Sequence, residues 1–210
     1  AEINFQEKCL MNHARSLIQY PNLYLYYMDT IKPGTLLIAN PFLKDPNFMR
    51  TVVLICEHTD EGSFGLVLSR KLKYTIGEIM TDAEGSTLPA FYGGPVSQNS
   101  LHFIHRNPGL ITGSDKIIDE IYWGGEFSEV CELLRNNKLR KNEIRFFIGY
   151  SGWSSGQLAE EMETGSWLTV QATPALVFTT TETEIWKAAL RQMGGEYEQL
   201  INYPIDPSLN

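Results

Sequence analysis

The densest set of chemically useful residues is Gly149-Tyr150-Ser151-Gly152-Trp153-Ser154-Ser155-Gly156-Gln157-Leu158. It follows an apolar run, Ile144 to Ile148, that reads as a buried strand, and it leads into Leu158 to Met162, which reads as a short helix. Within it, Gly152-Trp153-Ser154-Ser155-Gly156 matches the Gly-x-Ser-x-Gly elbow that exposes a nucleophilic serine between strand and helix. A nucleophilic Ser154 needs a general base, and α/β-hydrolases place their acid and histidine after the serine. All four histidines (His13, His58, His102 and His105) precede Ser154, so that order fails. Helix capping accounts for the same residues more simply, through Ser154-x-x-Gln157 or through Ser155 at the N-cap.

Glu57-His58 ends the best strand candidate. The pair reads either as an acid–base couple, with His58 carrying a proton near neutral pH, or as a solvated strand-end charge pair. His102 and His105 lie three apart on a predicted strand and face opposite ways, so they do not share one metal. With no Cys cluster and no His-x-x-x-His on a helix, no metal site and no cofactor are expected. Gly93-Gly94-Pro95-Val96 lacks the Gly-Lys-Ser/Thr ending of a phosphate loop and reads as a close backbone approach or a bulge. Taken together, the two glycine-rich strand ends suggest one shallow cleft lined by Tyr92, Gly93, Gly94, Tyr150, Trp153 and Gln157. Trp153 and Trp167 read equally well as core.

The elements that must carry these residues alternate short strands and helices. Thr35 to Ala39 and Thr51 to Glu57 read as strands, and Asp60-Glu61-Gly62 turns the second into a hairpin with Phe64 to Ser69. Tyr74 to Met80 reads as a short helix, Leu101 to His105 as a strand, and Lys116 to Ile118 with Ile121 to Trp123 as short strands about a turn. Glu126 to Arg135 and Thr183 to Met193 have helical spacing, the second stopping at Gly194-Gly195. Trp167 to Gln171 and Ala175 to Phe178 read as strands split by Thr173-Pro174, and the tail from Asn202 reads as irregular. Hairpins outnumber strand–helix–strand crossovers, which favours a largely antiparallel or mixed sheet.

Residues 1–30 differ in texture and read as an N-terminal helical and aromatic extension, with 31–210 forming a single domain. A net charge of −8 argues against direct nucleic-acid binding. The basic clusters, Lys138-Leu139-Arg140-Lys141 and Arg70-Lys71-Leu72-Lys73, read as solvated turns. Three cysteines (Cys9, Cys56 and Cys131) without a Cys-x-x-Cys suit reduced thiols. No apolar run approaches the ~20 residues that span a bilayer, and no secretory leader pattern is present. The expected location is cytoplasmic.

Several ordered segments resemble one family. They are Gly34-Thr35-Leu36-Leu37-Ile38-Ala39 with Pro41, Leu43, Asp45 and Phe48; Val52 to His58 with Gly62, Gly65, Leu66, Val67 and Leu68; Gly93-Gly94-Pro95-Val96; and Gly149-Tyr150-Ser151-Gly152-Trp153 with Gly156-Gln157-Leu158. Over residues 32–195 the chain resembles the YqgE/AlgH family of bacterial proteins. It departs from the pattern at Ser69-Arg70-Lys71, where the family shows Asn-Arg-Pro or Asn-Lys-Pro, and at Ser154-Ser155, where Gly-Pro is common. The resemblance implies an α+β fold whose bent, mixed or antiparallel sheet closes into a pseudo-barrel flanked by helices. It implies no established catalysis, and a label of transcriptional regulator without an identified DNA-reading surface. The expectation is therefore a non-catalytic binding or regulatory protein acting through a protein or small-molecule partner. A hydrolase-like enzyme using the Glu57/His58 or Ser154 surface is the alternative.

Overall fold

The computed structural model describes residues 31–204. The expected N-terminal extension over 1–30 lies outside the described residues. Among the described residues there are ten strands: β1 (Thr35–Ala39), β2 (Val52–Thr59), β3 (Gly62–Val67), β4 (Lys71–Thr75), β5 (Pro89–Tyr92), β6 (Val96–His105), β7 (Asp115–Ile118), β8 (Ile121–Trp123), β9 (Ile144–Ser154) and β10 (Trp167–Gln171). Four helices accompany them: α1 (Ile76–Ile79), α2 (Phe127–Arg135), α3 (Gln157–Glu163) and α4 (Ile185–Met193). The sheet runs β10-β1-β2-β3-β9-β6-β8-β7, with β5 also on β9 and β4 on β5. Every pair is antiparallel except β5 on β9.

The apolar runs are continuous because both sheet faces are covered. Leu36, Ile38, Val52, Leu54, Leu66 and Leu68 enter one core, which α4 closes with Ile185, Trp186, Ala189 and Leu190. Their neighbours Leu37, Ala39, Val53, Ile55 and Val67 enter a second core with Trp153, Trp167 and α3 residues Leu158 and Met162. Farther along β9, Ile144 and Phe146 meet α2 residues Val130, Leu133 and Leu134 in a third.

The curl comes from irregularities in the ladders. Register shifts between Ile55 and Glu57 on β2 and between Val96 and Leu101 on β6. Such bulges add local twist and bend. The curl carries β7 back to the first strand, where Ile118 Cβ would lie 3.0 Å from a Cβ on Gly34, and the result is a half-barrel. This is the α+β architecture that the resemblance implied.

Three local expectations need correction. The strand from Ile144 does not end at Ile148; it continues to Ser154, with Gly149 and Gly152 inside it. Ala175–Thr179 is a π-helical turn rather than a strand. Pro174 sits at φ −55°, ψ −32°, and the Thr173 hydroxyl accepts the Leu176 N–H at 3.3 Å, so Thr-Pro starts a helical turn here. The residues before α1 form β4, since only Ile76–Ile79 is helical.

Candidate functional site

Between β5 and β6 the chain must cross β9, because β5 lies on one side of it and β6 on the other. It crosses at the two glycine motifs. The Gly93 N–H donates to the Ile148 carbonyl at 2.8 Å, and the Gly93 carbonyl accepts from the Val67 N–H at 2.9 Å and the Ser151 hydroxyl at 3.1 Å. A Cβ on Gly93 would sit 2.1 Å from the Gly149 carbonyl oxygen, and one on Gly94 2.3 Å from Tyr150 backbone. The motifs thus face each other as bare backbone and leave no room for a ligand between them.

The six residues expected to line one cleft are consequently dispersed. Tyr150 and Trp153 lie three apart on β9 and point to opposite faces. Tyr150 packs 4.9 Å from Phe64 and 5.6 Å from His102, beside Trp123, in a half-buried aromatic cluster. Trp153 is in the second core, 5% exposed. Its indole N–H donates to Glu161 Oε2 at 2.9 Å, and the Trp167 indole donates to the same oxygen at 2.7 Å. Gln157 Nε2 donates to Glu161 Oε1 at 3.1 Å. Gln157 Oε1 accepts from both the N–H and the hydroxyl of Ser154, at 3.1 and 3.2 Å. Ser154 therefore holds the approach to α3, whose N-cap is Gly156 at φ 78° rather than either serine. Glu161, which no motif highlighted, is the hub.

Glu57 and His58 are separated by strand alternation. Glu57 pairs opposite Phe64, whereas His58 pairs opposite Ser63, on the other face. Of the two readings of this pair, the acid–base couple does not form. The contact that does form is His58 Nδ1 to Ser63 Oγ, at 2.7 Å. Ser63 was not singled out from sequence, although the two-residue hairpin register places it across from His58.

His105 is fully buried, and its Nδ1 accepts from the Asn107 N–H while Nε2 donates to the Gly124 carbonyl, both at 3.1 Å. Burial holds His58, His102 and His105 below the ordinary histidine value of 6.5. Asp60 partly opposes this at His58, and the Gly124 carbonyl at His105. The unfolded chain therefore takes up these protons first. The stability they contribute is full above about pH 6.5 and declines as pH falls toward the lower folded values. We expect the urea midpoint to drop as the pH is lowered from 7 to 5. His105→Gln should flatten that slope, and an unchanged slope in urea melts would remove His105 from the account.

Tyr92, the remaining cleft residue, stands in a different place. With Asn47, Ser69, Arg70, Lys71, Leu72, Lys73 and Glu182 it lines an open groove of about 790 Å³ along β4. Arg70 Nη2 donates to the Pro46 carbonyl at 2.6 Å, and its guanidinium lies 6.0 Å from the Tyr92 ring. The Tyr92 hydroxyl donates to Asn47 Oδ1 at 3.3 Å, and burial raises its pKa against the opposing pull of Arg70. Ser69 Oγ accepts the Val52 N–H at 3.1 Å. Three cations thus face one carboxylate, and no salt bridge among the described residues uses any of the three.

Behind the groove Arg145 is buried, donating to the carbonyls of Leu68 at 3.3 Å and Thr180 at 2.9 Å. Burial pushes its pKa down to about 10, so it stays charged at neutral pH. The basic run at residues 70–73 is therefore an edge strand forming a groove wall, not a solvated turn. Among the described residues no three His, Cys, Asp or Glu side chains are grouped to hold a metal ion. Nor is any helix of the described residues long and apolar enough to cross a membrane.

A family model described as AlgH-like matches residues 36–198. A UPF0301 protein of Chlorobium luteolum is 44% identical over 177 residues, covering 84% of this chain and 94% of that protein. A UPF0301 protein of Cytophaga hutchinsonii is 40% identical over 178 residues, covering 84% and 98%. Among solved structures, a protein from Corynebacterium diphtheriae has a TM-score of 0.71 at 22% identity, covering 82% of this chain and 93% of that one. The AlgH protein from Pseudomonas aeruginosa has a TM-score of 0.67 at 27% identity, covering 83% and 95%.

Proposed function

The chain belongs to the AlgH-like family, and from that premise we propose that it is a non-catalytic binding or regulatory protein that takes an anionic partner in the groove beside β4. The observation that carries this reading is the set Arg70, Lys71 and Lys73 around an open groove, without salt-bridge partners among the described residues, in a chain of net charge −8. Concentrating like charge on one surface favours a ligand of opposite sign. The groove offers binding without a catalytic pair: Ser69 is committed to the Val52 N–H, and no histidine or cysteine lines it. The acidic chain as a whole repels a DNA backbone, so regulation on this reading runs through a protein or a small molecule. Buried free thiols at Cys56 and Cys131 suit a cytoplasmic setting.

The test is a thermal-shift series with inorganic pyrophosphate, ATP and poly-L-glutamate. A ligand at about 100 times its Kd adds roughly 2.7 kcal/mol, or about 5–10 °C in a chain of this size. We expect at least one of the three to reach that shift, and the Lys71→Glu/Lys73→Glu double variant to lose it while its ligand-free melting stays within about 2 °C of wild type. No shift with any of the three would remove the groove reading. A hydrolase-like reading draws on the Ser63–His58 contact. Turnover of p-nitrophenyl acetate, abolished by both Ser63→Ala and His58→Ala, would put it in place of binding.

A further inference from the structure

We propose that the groove's occupant is an acidic segment of a partner protein, bound in extended form as an added strand along β4. This identification rests on the binding reading above and names its ligand. β4 is an edge strand: it pairs with β5 at Lys71↔Phe91 and Thr75↔Pro89, and among the described residues no strand lies on its other side. Such an edge offers main-chain donors and acceptors to an incoming strand.

The groove follows this strand. Five of its lining residues, Ser69 through Lys73, are consecutive: Ser69 and Arg70 lead into the strand and Lys71, Leu72 and Lys73 lie on β4. A compact anion engages one end of such a wall; an extended peptide engages its length.

The charges sit along the open edge. Lys71 and Lys73 are both exposed on β4 and both line the groove, in a stretch where the register with β5 shifts between Lys71 and Thr75. Carboxylates spread along an added strand meet both lysines. Arg70 supplies a third cation, held in place by its bond to the Pro46 carbonyl. Edge lysines also guard against unwanted strand pairing. That role and recognition are the same physics: lysines that repel neutral or basic strands discriminate in favour of an acidic one.

The experiment measures fluorescence anisotropy with three fluorescein-labelled decapeptides: alternating Glu-Thr, alternating Lys-Thr and alternating Glu-Pro. The Glu-Pro peptide keeps the charge but loses half its backbone N–H donors. We expect Glu-Thr to bind, Lys-Thr not to bind, and Glu-Pro to bind at least tenfold more weakly. Lys71→Glu/Lys73→Glu should weaken Glu-Thr at least tenfold. Glu-Thr and Glu-Pro binding equally would overturn strand addition and leave the anionic groove standing. Displacement of Glu-Thr by an equal concentration of pyrophosphate would replace the peptide with a small anion. If neither acidic peptide nor pyrophosphate binds, both the peptide and the groove reading fail.

Discussion

Gly94→Ala is expected to lower the melting temperature by roughly 8–16 °C, corresponding to about 4 kcal/mol at 2–4 °C per kcal/mol. Two independent costs combine. Gly94 holds φ 152°, a conformation that L residues rarely adopt, which costs about 1–3 kcal/mol. An added Cβ would also lie 2.3 Å from the Tyr150 backbone carbon and oxygen, well inside contact distance. The obstacle is backbone of β9 in the middle of the sheet, which has no rotamer to change, so relief requires moving the strand crossing itself. Overpacking of this kind costs about 1–3 kcal/mol or more. Gly156→Ala is the matched control: φ is 78°, yet nothing lies within 4 Å of its Cβ. It should cost only about 1–2 kcal/mol, the left-handed penalty alone. Calorimetric melting of the two variants separates the contributions. Equal losses would mean that the contact between motifs costs nothing beyond dihedral strain.

That prediction also explains why part of the molecule was readable from sequence and part was not. β1, β2 and the hairpin into β3 announce themselves through β-branched apolar runs and a two-residue turn, signals that are local and strong. The helices over Phe127–Arg135 and Ile185–Met193 carry their own periodicity and stop signals. Ala175–Thr179 misleads because four apolar or small residues in a row suit a buried strand and a buried helical turn alike. β9 was cut short for a related reason. Gly149 and Gly152 look like strand terminators in one dimension. In three, Gly149 marks where the backbone at Gly94 and Val96 passes at contact distance, and a Cβ on Gly152 would lie 3.1 Å from the Tyr150 ring.

The site was less legible for a topological reason. Gly93-Gly94 and Gly149-Tyr150 are brought together, as the sequence suggested, but against each other rather than around a cavity. The groove collects Asn47, Arg70, Lys71, Lys73, Tyr92 and Glu182 from segments separated by up to 135 positions. Of these, only Tyr92 was among the residues expected to line a cleft. The basic run at residues 70–73 was the available signal. Recognising it required knowing that β4 is an edge strand, which depends on where β5 pairs.

The second large effect is expected at Glu161. Glu161→Ala should destabilise the fold by about 3 kcal/mol, because one carboxylate oxygen accepts both indole N–H groups, from Trp153 at 2.9 Å and Trp167 at 2.7 Å. The two rings are 5% and 1% exposed, so alanine leaves two buried donors without their acceptor. Glu161 itself is half-buried, and water entering at the vacated carboxylate offsets part of the loss. Glu161→Gln keeps an acceptor oxygen for the two indoles and gives up the charge assistance and the exposed bond from Gln157 Nε2, so its cost should stay near 1 kcal/mol. Ser154→Ala removes an exposed hydroxyl bonded to Gln157 and should change stability by no more than about 0.5 kcal/mol. Urea melts followed by tryptophan emission order the three variants, and Glu161→Ala should also shift native emission to longer wavelength as the indoles gain water. If Ser154→Ala costs as much as Glu161→Ala, the hub belongs to the serine instead. The expected order gives the Gly-x-Ser-x-Gly spacing a structural origin: a glycine at φ 78° turns the chain into α3, so that one carboxylate on that helix can tie down two tryptophans from different strands.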